Sequence, residues 1–447
     1  MTLDVRVEAA AIDTQIVSAD EKKVLVATLV GTTIEWYDFF VYAQAAGLVF
    51  GPLFFAPMVQ NNPLLAQIVS FATIGLSFLF RPLGAILCGH MGDRFGRRAM
   101  FVMTLILMGT ATAIIGVLPT YAQAGAWAPV LLILMRILQG FSAGGEWGGA
   151  ALMAVEHAPV DRRSFFGSFP QIGTPIGMIM ATGVLWILTS ALGKPAMAEW
   201  GWRIPFLFSI VLIVIGAIIR RSVEESPVFA EMIRRQQESA APLRELLRTH
   251  WTEILRTALI FMANNAAGYI FIAFMISYGL GTLKMPAGQI LLVSTCGAVT
   301  WFIFTLAGGV LGDRLGRVRT FQIGYLILAL WAVPMWFLID SKNILLFFVA
   351  AAGLTLGLGL SYGPQAALYA ELYPAKVRYS GVSVGYALGA ILGGAFAPMI
   401  AQWIIGVYGT SWAIGVYVGI LAVVSLLAVS TIKDPKGIDL HVKGVVH

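Results

Sequence analysis

Twelve stretches of this chain are apolar for as long as a lipid bilayer is thick. A helix rises ~1.5 Å per residue, so about 20 residues cross the hydrocarbon. Such runs lie at about 24–50, 64–88, 100–119, 127–154, 165–191 and 203–219, and again at about 257–280, 289–311, 320–339, 344–369, 380–405 and 411–431. With 58% hydrophobic and 12% charged residues, against about 25% charged in a soluble domain, the chain cannot be a water-soluble globule. The expected fold class is an all-α membrane protein, with twelve transmembrane helices in two pseudo-symmetric six-helix bundles.

An even number of spans puts both ends on one side, and charge placement says which side. Of 29 Lys and Arg residues, Arg81 and Arg136 fall within spans. Lys194, Arg203, Lys284 and Lys342 fall on the opposite side from the termini, and the rest share the termini's side. The positive-inside rule makes that side cytoplasmic. The excess of basic residues therefore orients the chain and does not point to nucleic acid. Residues 1–23 lack the basic start and apolar core of a cleavable signal and read as a cytoplasmic tail. The expected location is the inner (cytoplasmic) membrane, multi-pass, with both termini cytoplasmic. Cys88 and Cys296 lie inside apolar runs and read as packing residues.

The longest polar segment, 220–256, divides the chain into a bundle over 24–219 and a second over 257–432, followed by a tail at 433–447. The halves echo each other. Gly89-His-Met-Gly-Asp93-Arg94-Phe-Gly96-Arg97 follows the second span, and Gly309-Val-Leu-Gly-Asp313-Arg314-Leu-Gly316-Arg317 follows the eighth. Glu156, Pro159 and Arg163 recur in the same spacing as Glu371, Pro374 and Arg378. Internal duplication of this kind marks alternating-access carriers, with the binding site between the repeats near the midplane. In the repeated loop, glycine permits a tight reversal, aspartate can cap a neighbouring helix, and arginine anchors the loop to the inner leaflet. Two copies point to a gate latch formed by Asp93, Arg94, Gly96 and Arg97 with Asp313, Arg314, Gly316 and Arg317.

These loops resemble the signature of the major facilitator superfamily, and Arg136-Ile-Leu-Gln139-Gly140 resembles its Arg-x-x-Gln-Gly signature. More narrowly, Glu35-Trp36-Tyr37-Asp38-Phe39-Phe40, Gly144-Gly145-Glu146-Trp147-Gly148-Gly149, Gly201-Trp202-Arg203-Ile204-Pro205-Phe206 and Glu225-Ser226-Pro227-Val228-Phe229 are similar to the metabolite–proton symporter branch. That branch includes carriers of shikimate, 2-oxoglutarate, citrate, proline and betaine. The resemblance implies secondary active transport, with proton-coupled uptake of an organic acid or zwitterion, and leaves the substrate undetermined.

Independently of that likeness, an ionisable side chain at a helix centre costs ~2.5–3.5 kcal/mol on insertion scales and so needs a partner, a cavity or a task. Glu35, Asp38, Arg81, Arg136 and Glu146 stand in spans, all in the first half, and no histidine does. If protons are carried, a carboxylate must carry them. Glu35 and Asp38 share a helix face, with Tyr42 one turn on. Arg136, Gln139, Ala143 and Glu146 share another. An Asp38–Arg136 pair and a Glu35–Arg81–Glu146 cluster are expected. In that reading Asp38, Glu35 and Glu146 are proton carriers, Arg136 holds an anionic group, and Arg81 is an intramembrane partner. The same ions could instead serve only to tie helices together.

The second half offers neutral groups: Asn264, Asn265, Tyr269, Trp301, Tyr362, Gln365 and Tyr386. With Tyr42, Gln139 and Gln171, these are candidate substrate contacts. Phe169-Pro170-Gln171-Ile-Gly173-Thr174-Pro175 is expected to break regular helix. Glycines at 381, 385, 389 and 393, and at 173 and 177, predict close backbone packing. Leu243, Leu246, Leu247 and Trp251 predict an amphipathic helix on the inner surface. No metal-ligand cluster, phosphate loop or nucleophilic triad occurs in a plausible context, so neither enzyme activity nor a cofactor or metal is expected. The expected partners are a small carboxylate or zwitterion, protons and lipid, with the chain a monomer. A uniporter or exchanger of the same fold remains the alternative.

Overall fold

The computed structural model describes residues 19–95, 97–144, 146–221, 242–374, 377–438 and 440, without the side chains at 19–24, 88–95, 97–102, 194, 220, 221 and 242–245. All regular structure among the described residues is helical. Among the described residues, nine helices are long and apolar enough to span a bilayer: α1 Leu25–Val59, α2 Pro63–Leu87, α4 Trp127–Glu156, α5 Val160–Gly193, α7 Trp251–Thr282, α8 Ala287–Leu315, α10 Ile344–Leu372, α11 Arg378–Tyr408 and α12 Trp412–Ser430. The pair Arg317–Trp331 and Pro334–Asp340, bent by 49° at the break before Pro334, forms α9. The shorter apolar helices Met103–Val117 and Arg203–Ile219 are α3 and α6. Together these twelve coincide with the twelve apolar runs of the sequence.

Small residues let these helices touch backbone to backbone. Gly140 and Gly144 of α4 lie against the carbonyls of Ser77 and Arg81 on α2. Gly173 and Gly177 of α5 lie on Thr32, Thr33 and Tyr37 of α1. On α11, Gly389 and Gly393 lie on the carbonyls of Ala258 and Met262 of α7, where an added Cβ would come within 2.7 and 2.0 Å. Between the halves, Gly309 of α8 meets Ser164 and Ser168 of α5, and Gly75 of α2 meets Ala395 and Phe396 of α11. Wide π-type turns interrupt the same end of the first helix of each half, at Ala46–Phe55 in α1 and at Ile270–Phe274 and Tyr278–Thr282 in α7. Such turns frequently mark functional positions. Here they meet, with Gly47 packed against Ala273 and Ser277.

Three expectations are corrected. The Phe169–Pro175 segment does not break: helix runs from Arg163 through Pro170 and Pro175, and the only non-helical residue is Gly193 (φ 74°). A membrane-buried helix tolerates proline, because packing fixes its direction where one amide is lost. Cys296 is exposed on the outside of α8 and is not a packing residue; the side chain of Cys88 lies outside the described residues. The predicted amphipathic helix stops short of Trp251: it covers Pro242–Thr249 with Leu246 buried, and exposed Trp251 already begins α7.

Candidate functional site

All five ionisable residues predicted within spans are buried: Glu35, Asp38, Arg81, Arg136 and Glu146 each expose no more than 3% of their surface. The expected Asp38–Arg136 pair does not form. Asp38 Oδ1 accepts from Ser209 Oγ of α6 (2.5 Å), and Oδ2 makes no hydrogen bond. Arg136 Nη1 instead donates to Gln139 Oε1 (2.9 Å), and Gln139 Nε2 donates to Thr112 Oγ1 of α3 (2.7 Å). The Thr112 hydroxyl donates to the Met108 carbonyl (3.0 Å) and also faces the Asp38 carboxylate. The two charges are thus joined through Gln139 and Thr112. The physical reason is the turn of α1: Asp38 points toward α3 and α6, whereas Phe39 and Tyr42 cover the guanidinium of Arg136, 5.0 and 4.0 Å from their ring centres. Tyr42 is fixed in turn by donating to Thr73 Oγ1 (2.6 Å).

Arg81 lies over Phe39 and Phe78, 4.5 and 4.4 Å from their ring centres. Arg81 and Glu35 both act electrostatically on the hydroxyls of Tyr269, Tyr362 and Tyr386, which places the two charges in one neighbourhood facing the second half. Arg81 and Arg136 each present Nε and Nη2 without an acceptor. That edge of a guanidinium matches the two oxygens of a carboxylate. Glu146 opens the second helical stretch of α4, beside Trp147.

Between the halves lies a narrow cavity, lined by Trp36 and Thr174 from the first half and by Phe261, Asn264, Asn265, Tyr269, Trp301 and Tyr362 among others from the second. Five of the predicted contacts, Asn264, Asn265, Tyr269, Trp301 and Tyr362, therefore share one wall. Asn264 is engaged by Leu358 and Ser361, whereas Asn265 Oδ1, Tyr269 OH and the indole nitrogens of Trp36 and Trp301 are buried without partners. Gln171 and Gln365 lie beneath the cavity. Gln171 Oε1 accepts from Trp147 Nε1 (2.8 Å), and its Nε2 donates to the Tyr362 carbonyl (3.2 Å) and to Gln365 Oε1 (3.4 Å). Thr174 and Tyr362 hydroxyls meet at 3.0 Å. Trp147 stacks on Tyr386 at 3.8 Å, and Tyr386 on Phe261 at 4.4 Å. Sequence reasoning did not single out Trp36, Trp147, Thr112, Ser209 or Thr174 as contacts. Trp36 and Trp147 stood inside quoted motifs, while hydroxyl residues in an apolar helix give no signal of the side they face.

At the loop face the second-half latch residues are ordered around one another. The Asp313 carboxylate accepts from the backbone amides of Ser164 and Phe165 (2.9 and 2.8 Å), capping the start of α5 in the other half. Arg317 makes a two-pronged pair with Glu371 (both 3.1 Å), and Arg163 reaches the same carboxylate at 3.3 Å. Arg378 pairs with Glu156 at 3.3 Å. Gly316 takes φ +102°, open to glycine, and its missing side chain leaves room for Asp434. Arg314 is exposed. The side chains of Asp93, Arg94 and Arg97, and Gly96 itself, lie outside the described residues.

Residues 39–389 match the sequence profile of the Major Facilitator Superfamily. The "Inner membrane metabolite transport protein YhjE" of Escherichia coli (strain K12) is 40% identical over 412 residues, covering 91% of this chain and 92% of that protein. The "Shikimate transporter" of the same organism is 34% identical over 426 residues, covering 92% and 94%. Among solved structures, a crystal structure of a D-xylose-proton symporter superposes with a TM-score of 0.72 at 19% identity, covering 94% of this chain and 99% of that one.

Proposed function

The chain belongs to the Major Facilitator Superfamily, and from that premise we propose that it moves a small carboxylate or zwitterion together with protons by alternating access. It is a multi-pass membrane transporter; coupling, substrate class and orientation are the proposal. Both termini, and with them the loop face, are cytoplasmic in this reading, and at the loop face the two halves are joined by the Arg163–Glu371 and Arg378–Glu156 pairs.

The observation that carries the reading is the chain of contacts Arg136–Gln139–Thr112 beside Asp38, with the second carboxylate oxygen of Asp38 unbonded and two nitrogens of Arg136, Nε and Nη2, lacking acceptors. Asp38 can take a proton on Oδ2 without breaking its bond to Ser209. The Thr112 hydroxyl has a single proton. It can point at an ionised Asp38, or at Met108 once Asp38 is protonated, and the lone pair that it offers to Gln139 Nε2, and through Gln139 the Arg136 guanidinium, shifts with that choice. Arg136 and Arg81 offer carboxylate-binding edges, and the aromatic wall of α7, α8 and α10 fits the body of the substrate. Charge and protons thus fall to the first half and shape to the second. A shikimate-carrying relative is consistent with a carboxylate cargo.

The test is uptake into proteoliposomes under an imposed inward proton gradient, preceded by a thermal-shift screen of mono-, di- and tricarboxylates, cyclic acids and zwitterionic osmolytes. Asp38→Asn is expected to abolish uphill accumulation while substrate exchange continues. Accumulation by Asp38→Asn equal to that of the unaltered chain rejects proton coupling through Asp38. Uptake that ignores the proton gradient in both chains favours the uniporter or exchanger.

A further inference from the structure

The segment that follows α12 crosses the loop face and touches both halves. Arg163, at the start of α5, donates to the Ile438 carbonyl at 2.5 Å. Arg378, at the start of α11, donates to the Leu440 carbonyl at 3.0 Å. Lys436 reaches the Arg314 carbonyl at 3.4 Å, and the Asp434 carboxylate lies against Gly316. Pro435 and Leu440 are buried, Leu440 to 5% exposure within the hydrophobic core. Both arginines are also the cross-half partners of Glu371 and Glu156.

We propose that residues 434–438 and Leu440 belong to a strap that holds the loop face shut by binding one gate arginine from each half, with Leu440 as its apolar anchor. The geometry requires it to release. Two carbonyls two residues apart span at most ~7 Å of chain, so they cannot stay bonded to Arg163 and Arg378 once the halves separate at this face. Charge-assisted bonds from guanidinium to carbonyl are among the stronger hydrogen bonds, and here they are added to the ion pairs without competing for the carboxylates. The strap biases the carrier toward the state closed at the loop face and makes tail position a control on opening. It rests on the alternating-access reading, and it does not depend on proton coupling or on which face is cytoplasmic.

The experiment is a distance measurement between spin labels at Asp161→Cys and Arg319→Cys, both exposed, in a Cys88→Ala, Cys296→Ala background reconstituted in nanodiscs. Three chains are compared: the full chain, a deletion of residues 434–447, and full-length Leu440→Ser, which keeps every ion pair if the deletion fails to fold. Release of the strap is expected to raise the ratio of long to short distances at least about tenfold in the deletion, the effect of losing even one of its two charge-assisted bonds, and in the same direction for Leu440→Ser. A long-distance population present in equal proportion in all three chains overturns the strap alone. Absence of that population from all three overturns the alternating-access reading and the strap with it.

Discussion

At the loop face the two halves trade partners: Arg163 of the first holds Glu371 of the second, and Arg378 of the second holds Glu156 of the first. At mid-span the charges fall on one side. Asp38, Arg81 and Arg136 stand in α1, α2 and α4, while the matching helices of the second half present Asn264, Asn265, Tyr269, Trp301 and Tyr362. The duplication has been kept where two rigid bodies must meet and part in register, because a latch works from both sides. It has been lost where a chemical task needs one group in one place. The matched face is itself unequal, since the Glu371 carboxylate is sealed between two arginines and fully buried, whereas the Glu156 side chain is 16% exposed.

The largest effect should come from the unmatched centre. Arg136→Gln removes the guanidinium that donates to Gln139 Oε1, and uptake is expected to fall by a factor of ~100 or more, the loss that follows from leaving a bound carboxylate uncompensated in a dry site. Radiolabelled uptake at matched expression measures it, and a loss under about threefold would place the substrate charge elsewhere. At the latch, Glu371→Gln breaks the two-pronged buried pair and leaves Arg317 with Asp313 (3.2 Å) as its remaining counter-ion; it is expected to cost ~3 kcal/mol, seen as a large fall in the detergent unfolding midpoint. The matched change Glu156→Gln acts on a partly hydrated pair and should cost only ~1 kcal/mol; equal losses would erase the inequality between the two latches. Asp313→Asn weakens the cap on Ser164 and Phe165 by ~1 kcal/mol, with little effect at the central cavity. Smallest, Tyr362→Phe deletes one hydroxyl contact to Thr174, worth ~0.5–1.5 kcal/mol, and should alter substrate preference more than turnover.

The fold was legible because lipid leaves a span few choices: length and apolarity mark each helix. The duplicated Glu-x-x-Pro-x-x-x-Arg spacing was visible too, though nothing in one sequence says that each arginine reaches across to the glutamate of the other copy. Burial of Asp38 and Arg136 followed from helix periodicity, but their pairing did not. Residues on different helices can each face the bundle interior and still be separated by the thickness of a third helix, and here α3 supplies Thr112 between them. Proline in the fifth span misled for a related reason, since a local rule about lost amides was overridden by tertiary packing around a continuous helix.

The one-sided placement of ionic groups has an electrical consequence. With all five ionised, Glu35, Asp38 and Glu146 against Arg81 and Arg136 leave one net negative charge embedded in the first bundle, which a single bound proton cancels. A membrane potential exerts ~2.3 kcal/mol per charge per 100 mV, so voltage would grip the carrier through one half only, and the proton-loaded and unloaded forms would feel it differently. Clamping the potential with potassium and valinomycin would then separate the return of the empty carrier from the passage of the loaded one.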